Sequence, residues 1–163
     1  MENNISLIPM TKELCRQYYK DFETDSNIYM DMKYYKPFVY SDSWVDSYYN
    51  RQIEKKRVFL AIMYEQNPVG EIILKDIDNE KRECTLSIHL QNDNFKGRGI
   101  GTQAEKLALR YAFDELGMSA VNADVVLKNK RSQHVLEKIG FQFIKQEGIF
   151  KYYRYEKELL NNR

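Results

Sequence analysis

Three glycines fall within five residues in the stretch Lys96-Gly97-Arg98-Gly99-Ile100-Gly101-Thr102, which lies between a strand-like run and a long amphipathic segment. A backbone that lacks side chains at these positions can bend tightly and approach a ligand closely. The helix that follows adds unpaired N–H groups and the positive end of its dipole, and both favour an anion. The stretch therefore predicts a pyrophosphate-binding loop. The alternative is a glycine-rich turn that binds nothing.

The patterns on either side of this loop predict a single mixed domain. Residues 83–91 alternate cleanly, with Cys84, Leu86, Ile88 and Leu90 on one face. Strands are predicted at 5–9, 58–64, 69–77, 83–91, 120–127, 141–146 and 150–157, and helices at 11–22, 43–55, 102–116 and 129–140. No linker, repeat or low-complexity segment divides the chain, so residues 1–163 are expected to form one domain.

Composition excludes several classes of protein. The 43% hydrophobic and 30% charged content is typical of a soluble globular protein, and no apolar run approaches the roughly 18 residues that span a bilayer. The opening Met-Glu-Asn-Asn-Ile lacks the features of a secretory signal, so a cytoplasmic location is expected. Cys15 and Cys84 are isolated, which predicts structural thiols and no metal site. With 25 basic and 24 acidic residues, the chain has no overall charge that favours nucleic acid.

An acidic and aromatic segment precedes the basic glycine loop. Residues 21–46 carry six acids and two lysines, and residues 18–49 hold eight of the 13 tyrosines. We interpret residues 18–49, the aromatic segment, as a cover over a cleft that receives a cationic molecule. The candidate contacts with this molecule are Asp31, Tyr34, Tyr35 and Trp44. The alternatives are a helical layer that packs its rings on a sheet, and ordinary solvated surface charge.

Two motifs, in order along the chain, carry a family resemblance. The first is the loop Lys96 to Gly101, and the second runs from Asn129 to Phe141 and ends in Glu-Lys-Ile-Gly-Phe. Together with the element order they resemble the GNAT family of acyl-CoA-dependent N-acyltransferases, and the second motif is similar to that of the ribosomal-protein N-terminal (alanine) acetyltransferases. The resemblance implies an α/β (α+β) fold. It consists of a mixed, mostly antiparallel sheet of about seven strands flanked by four helices, with the glycine-rich pyrophosphate loop between strand 4 and helix 3.

The resemblance also implies acetyl-CoA as the acyl donor, with no metal. In the family the loop amides bind the pyrophosphate, and the preceding strand pairs with the pantetheine arm. The residues expected to bind acetyl-CoA are Ile88, Leu90, Gln91, Lys96, Gly97, Arg98, Gly99, Ile100, Gly101, Thr102, Asn129 and Ser132. Two of these have structural alternatives, since Asn129 is also a good N-cap and Ser132 is a small residue on a packed face.

The resemblance implies direct attack of a neutral amine on the thioester. At the positions that relatives use for proton transfer in this reaction, the chain has different residues. The general-acid Tyr that relatives often place on the last helix is Leu136 here, and the Glu that many use on the strand before the loop is Thr85. His89 is the first candidate for the base, against the alternative of a hydrogen-bonded histidine without a catalytic role. Tyr153 is the candidate acid. Weaker candidates are Glu71, Glu83 and Tyr155.

The acceptor is expected to be a primary amine, either a protein N-terminus or a small cationic molecule. The protein is expected to be a monomer or homodimer, with no nucleic-acid or membrane partner. One alternative is a catalytically silent acyl-CoA-binding module. Another is a dinucleotide-binding oxidoreductase, because Gly99 to Ala104 fits G-x-G-x-x-A and Asp124 follows about 20 residues later. The predicted antiparallel meander before the loop counts against the oxidoreductase.

Overall fold

The computed structural model describes residues 4–158, which form one seven-stranded sheet with helices on both faces. The strands are β1 (Ile5–Pro9), β2 (Val58–Tyr64), β3 (Asn67–Asp78), β4 (Glu83–Leu90), β5 (Ala120–Val126), β6 (Gln142–Glu147) and β7 (Phe150–Glu156). The helices are α1 (Lys12–Lys20), α2 (Asp42–Glu54), α3 (Ile100–Arg110) and α4 (Lys130–Ile139). The predicted fold, a mixed sheet of seven strands with four helices, is confirmed.

Strand order in the sheet is β1-β2-β3-β4-β5-β7-β6. Every neighbouring pair is antiparallel except β4 and β5, which run parallel. Short turns join β2 to β3 and β3 to β4, whereas β1 and β2 are joined through α1 and α2. The parallel strands β4 and β5 are connected through α3, since a parallel pair requires a crossover. The glycine loop therefore lies at the carboxyl end of β4, the strand at which the pairing changes from antiparallel to parallel.

Alternation along the strands separates two hydrophobic cores. On β2, Phe59 and Ala61 pack with α1 and α2, while Leu60 and Ile62 pack with α3 and α4. The register of β3 with β4 pairs Glu71 with His89, so strand positions of the same parity share a face. Over residues 71–75 of β3 and along β4, odd-numbered positions therefore face α1 and α2, and even-numbered positions face α3 and α4.

The start of α3 differs from the prediction. The helix begins at Ile100, two residues before Thr102, because Gly99 takes the N-cap position with a φ of 82° that a residue with a side chain rarely adopts. At its other end the helix continues as a π-helical turn, Tyr111–Glu115. Between residues 4 and 158, no helix is both long enough and apolar enough to cross a bilayer.

Candidate active site

A cavity opens where β4 and β5 separate. The two strands pair at only three positions, from Glu83 with Ala120 to Thr85 with Asn122, and then diverge. A cavity of about 520 Å³ fills the gap. Its lining includes Tyr19 and Trp44 from the α1–α2 side, and Glu105 and Leu136 from the α3–α4 side. The cavity therefore passes through the sheet and connects its two faces.

The glycine loop borders this cavity through Lys96 and Gly101, while the rest of the loop lies outside the lining. The loop has the backbone geometry of an anion site. Gly97 and Gly99 both have positive φ, at 72° and 82°. The N-cap of α3 makes no side-chain hydrogen bond, and its first turn contains no acidic residue. The N–H groups of Ile100, Gly101 and Thr102 thus begin a helix with no capping side chain, which is the arrangement that favours a phosphate.

The two cations of the loop are already held in place. Lys96 Nζ lies 3.1 Å from Asp25 and 3.0 Å from Asp93, and its side chain is only 10% exposed. Arg98 donates to the backbone oxygen of Asn94 at 3.2 Å and to the Tyr64 hydroxyl at 3.0 Å. Lys96 therefore ties the glycine loop to the aromatic segment, in addition to lining the cavity.

The remaining residues expected to hold acetyl-CoA divide into two groups. Ile88 and Leu90 line the cavity. Because Gln91 N–H bonds to Val69 across the β3–β4 ladder, and ladder bonds alternate, the backbone groups of Ile88 and Leu90 point away from β3 into the gap. Gln91 does not line the cavity, since it is buried and its side chain donates to the Tyr18 carbonyl at 2.7 Å.

Asn129 and Ser132 both line the cavity at the start of α4. The Asn129 side chain accepts the Ser132 N–H at 3.2 Å, which makes it the N-cap of the helix. The structural reading of Asn129 as an N-cap therefore holds, and its position on the cavity wall leaves its other polar atoms available to a ligand.

A buried carboxylate lies at the centre of the α1–α2 side. Glu71 is 2% exposed, and its Oε1 accepts the hydroxyls of Tyr19 at 2.7 Å and Tyr48 at 3.0 Å. Burial, together with the Glu71 charge, raises the pKa of both tyrosines above the ordinary value of 10, so both hydroxyls remain donors. His89 Nδ1 lies 3.5 Å from the same oxygen, while Oε2 has no hydrogen-bond partner among the described residues.

The candidate acid Tyr153 lies elsewhere. It is buried on β7, does not line the cavity, and donates to Glu137 at 2.9 Å. Burial raises its pKa to about 12. The weaker candidates Glu83 and Tyr155 are also outside the lining, with Glu83 paired to Arg154 at 2.9 Å. Of the sequence candidates for proton transfer, His89 and Glu71 are the two that the fold brings together.

Of the four residues expected to contact the amine, one lines the cavity and three do not. Trp44 lines the cavity, where it stacks on Tyr48 with ring centroids 5.2 Å apart. Tyr35 lines a neighbouring cavity, and Asp31 and Tyr34 line neither. Asp31 instead caps the short 3-10 turn Met32–Tyr34. The acids of the aromatic segment that do reach the main cavity are Glu23 and Asp25.

A family model for the acetyltransferase (GNAT) domain matches residues 4–142, most of the chain. The chain belongs to the GNAT acetyltransferase family. Enzymes of this family take their acyl group from acetyl-CoA, and the oxidoreductase alternative is set aside. Within residues 4–158, no cluster of His, Cys, Asp and Glu could hold a metal ion.

Several individual GNAT proteins are similar to this chain. The spermidine N(1)-acetyltransferase of Escherichia coli (strain K12) is 24% identical over 141 residues, which are 85% of this chain and 73% of that protein. The putative ribosomal N-acetyltransferase YdaF of Bacillus subtilis (strain 168) is 26% identical over 102 residues, 63% of this chain and 55% of that protein. The match thus spans about half the length of YdaF.

Solved GNAT structures share the fold across almost the whole chain. A spermidine N-acetyltransferase SpeG chimera from Vibrio cholerae and hSSAT superposes with a TM-score of 0.78 at 19% identity, covering 98% of this chain and 99% of that one. The Vibrio cholerae spermidine N-acetyltransferase in complex with CoA and spermine gives a TM-score of 0.74 at 19% identity, with 94% and 96% covered. A dodecameric structure of that enzyme is also similar.

Two acidic residues of the cavity wall, Glu71 and Glu105, are only partly predicted, or not predicted, from the sequence. Glu71 ranked below His89, although counting back across the β3–β4 turn places the two opposite each other. Glu105 is not among the candidate residues that the sequence identifies. The signal for Glu105 was its place on the apolar stripe of α3, four residues from both Gly101 and Leu109.

Proposed function

We propose that this chain transfers the acetyl group of acetyl-CoA to a primary amino group of a small, cationic aliphatic amine of the polyamine class. The observation that carries the proposal is the buried Glu71 carboxylate, which faces a cavity walled by aromatic rings and has one oxygen with no hydrogen-bond partner in the described part of the chain.

The walls of the cavity suit a flexible cation. Aromatic rings surround its α1–α2 side, namely Tyr19, Phe22, Phe38, Trp44 and Tyr48. The faces of such rings attract ammonium groups, and desolvation strengthens the attraction. The acids Glu23, Asp25, Glu71 and Asp124 also line the cavity. An elongated amine with more than one positive charge can therefore meet a carboxylate or a ring along its whole length.

Glu71 and His89 supply the base that such an amine requires. An aliphatic amine with a pKa near 10.4 is about 4.6 kcal/mol from its neutral form at pH 7, whereas an α-amino group is only about 1 kcal/mol away. A buried carboxylate that holds the ammonium can pass its proton to the adjacent imidazole, which reaches solvent because its side chain is 42% exposed. A buried base of this kind would be needed for an aliphatic amine and much less for an α-amino group, so its presence favours the aliphatic acceptor.

The donor side of the proposal uses the other end of the cavity. The amides of residues 98–102 would bind the pyrophosphate, and the open backbone edge at Ile88 and Leu90 would pair with the pantetheine arm. Acetyl-CoA bound in this way would have its thioester in the gap between β4 and β5, beside Glu71 and His89. The neutral amine then attacks the thioester carbon from the α1–α2 side, and proximity supplies much of the rate.

Acetyl-CoA turnover with a panel of acceptors tests the proposal. Spermidine, spermine, a diamine and a short peptide with a free α-amino group are each incubated with the protein and acetyl-CoA, and CoA release is followed. We expect the polyamines to react fastest, and we expect acetyl-CoA but not NAD to raise the melting temperature.

Three results would count against it. Acetylation of the peptide alone would favour a protein N-terminus as the acceptor. Binding of acetyl-CoA without transfer to any amine would favour a silent acyl-CoA-binding module. Stabilisation by NAD alone would remove the donor assignment itself.

A further inference from the structure

Glu105 is a buried carboxyl group with one oxygen that no described residue meets with a hydrogen bond. It is 2% exposed on α3, one helical turn past Gly101 of the glycine loop. Its Oε2 has no hydrogen-bond partner among the described residues. A buried polar group without a partner destabilises the folded state. The carboxyl group lines the cavity, so a ligand group that becomes charged during the reaction can provide the missing partner.

The surroundings of Glu105 place it opposite the proposed base. The α3–α4 side of the cavity, which Glu105 lines, includes the buried apolar side chains Leu86, Val125 and Leu136 in its wall. Glu71 and His89 lie on the other face of the sheet, towards α1 and α2. A thioester held in the gap between β4 and β5 would therefore have a base on one side and Glu105 on the other.

Burial keeps Glu105 in its neutral form. It raises the pKa of this carboxyl from 4.5 to about 8, and burial is the sole cause. Among the elements packed against α3, β1 carries no titratable side chain, while Glu71 on β3, His89 on β4 and Arg131 on α4 face the same cavity. Asp124 on β5 and Lys96 in the loop face it as well. Glu105 is thus mostly protonated at pH 7 and can donate a hydrogen bond or a proton.

We propose that Glu105 is the general acid that protonates the departing thiolate of coenzyme A. This chain has Leu136 where related enzymes often place a general-acid tyrosine, so the acid must come from another position. The inference rests on the proposed acetyl transfer. As the C–N bond forms, the amine's extra proton passes to the Glu71–His89 pair. The C–S bond breaks, its electron pair stays on sulfur, and sulfur takes the proton from Glu105. Water returns a proton to the buried carboxylate before the next turnover, so no oxidant or reductant is needed.

Two substitutions separate this role from a purely structural one. Glu105→Gln keeps the size and a hydrogen-bond donor but removes the acidic proton, and Glu105→Leu fits the apolar wall. Glu115→Gln, at an exposed glutamate just beyond α3, is the matched control. Circular dichroism and thermal melts confirm that each variant is folded. Turnover is measured from pH 6 to 10 with the amine that the wild type acetylates fastest, and acetyl-CoA affinity is measured by calorimetry.

We expect the wild-type kcat to fall about tenfold per pH unit above pH 8, as the acid is lost. Both Glu105 variants should lose about 100-fold in kcat at pH 7 and no longer show this fall, while their affinity for acetyl-CoA and the behaviour of the control stay unchanged. A Glu105→Gln enzyme with the wild-type kcat and pH profile would overturn the inference. So would weakened acetyl-CoA binding with unchanged kcat, which would make Glu105 a ligand of the pantetheine arm. A wild type that binds acetyl-CoA but acetylates no amine would instead overturn the proposed function, and the inference with it.

Discussion

Replacing Glu105 with leucine should change how the stability of the protein depends on pH. The folded-state pKa of this carboxyl, about 8, lies above its ordinary value of 4.5. The folded state therefore holds a proton that the unfolded state releases from about pH 4.5 upwards. The contribution of Glu105 to stability is fully present below pH 4.5 and is lost as the pH rises to about 8.

The size of the effect follows from the two pKa values. Each pKa unit corresponds to 1.36 kcal/mol, so the free energy of unfolding should fall by about 4 kcal/mol between pH 5 and pH 9 through this group alone. The Glu105→Leu variant lacks that loss, and every other titrating group is common to both proteins. The difference in stability between variant and wild type should therefore grow by about 4 kcal/mol in favour of the variant.

Urea denaturation at pH 5, 7 and 9 measures this difference directly, without acetyl-CoA or an amine. The urea dependence of the unfolding free energy should be the same for both proteins, which confirms that the same surface unfolds. A stability difference that stays constant from pH 5 to pH 9 would refute the reasoning, because Glu105 would then titrate at its ordinary pKa.

Three further predictions concern the proposed site. Glu71→Gln should lower kcat for a polyamine about 100-fold without changing acetyl-CoA affinity, because it removes the buried base; the exposed residue Glu54, changed to Gln, is the control, and CoA release is the measurement. Gly97→Ala and Gly148→Ala each place a Cβ at a positive φ with no atom within 4 Å, so both should lose about 1 kcal/mol of stability. Only Gly97→Ala should weaken acetyl-CoA binding, by about tenfold in a titration, and equal affinities would contradict a phosphate at the loop. Trp44→Ala should raise the KM for the amine roughly fivefold through loss of a cation–π contact, while an unchanged KM would place the amine elsewhere.

The fold could be predicted from local patterns because those patterns are strong in this chain. The clean alternation of β4, the three glycines of the loop and the apolar stripe of α3 each specify one element, and their order specifies the topology. The sequence pattern predicts the start of α3 two residues too late, because the N-cap is Gly99 rather than a residue with a polar side chain. Glycine at that position is harder to recognise than serine or aspartate.

The candidate site was harder to predict, because it depends on pairings between distant residues. The sequence pattern puts His89 on the polar face of a strand, and the register of β3 with β4 confirms that Glu71 lies opposite it. The hydrogen bonds from Tyr19 and Tyr48 on α1 and α2, which bury Glu71 beside His89, could not be read from either strand. Charge counts identified the aromatic segment as acidic, yet Arg16 pairs with Asp46 at 2.6 Å and lies 3.6 Å from Asp42. Both acids are therefore engaged in the structure, and neither lines the cavity.

The separation of β4 from β5 also bears on the order of events in a catalytic cycle. Because the opening traverses the sheet, coenzyme A and the amine can arrive from opposite sides and occupy the protein together. Cys15 and Cys84 are buried outside the opening, and burial raises their thiol pKa values to about 12 and about 11. Neither thiol is suited to carry an acetyl group between two half-reactions. The architecture thus favours a ternary complex, in which neither product forms until both substrates are bound.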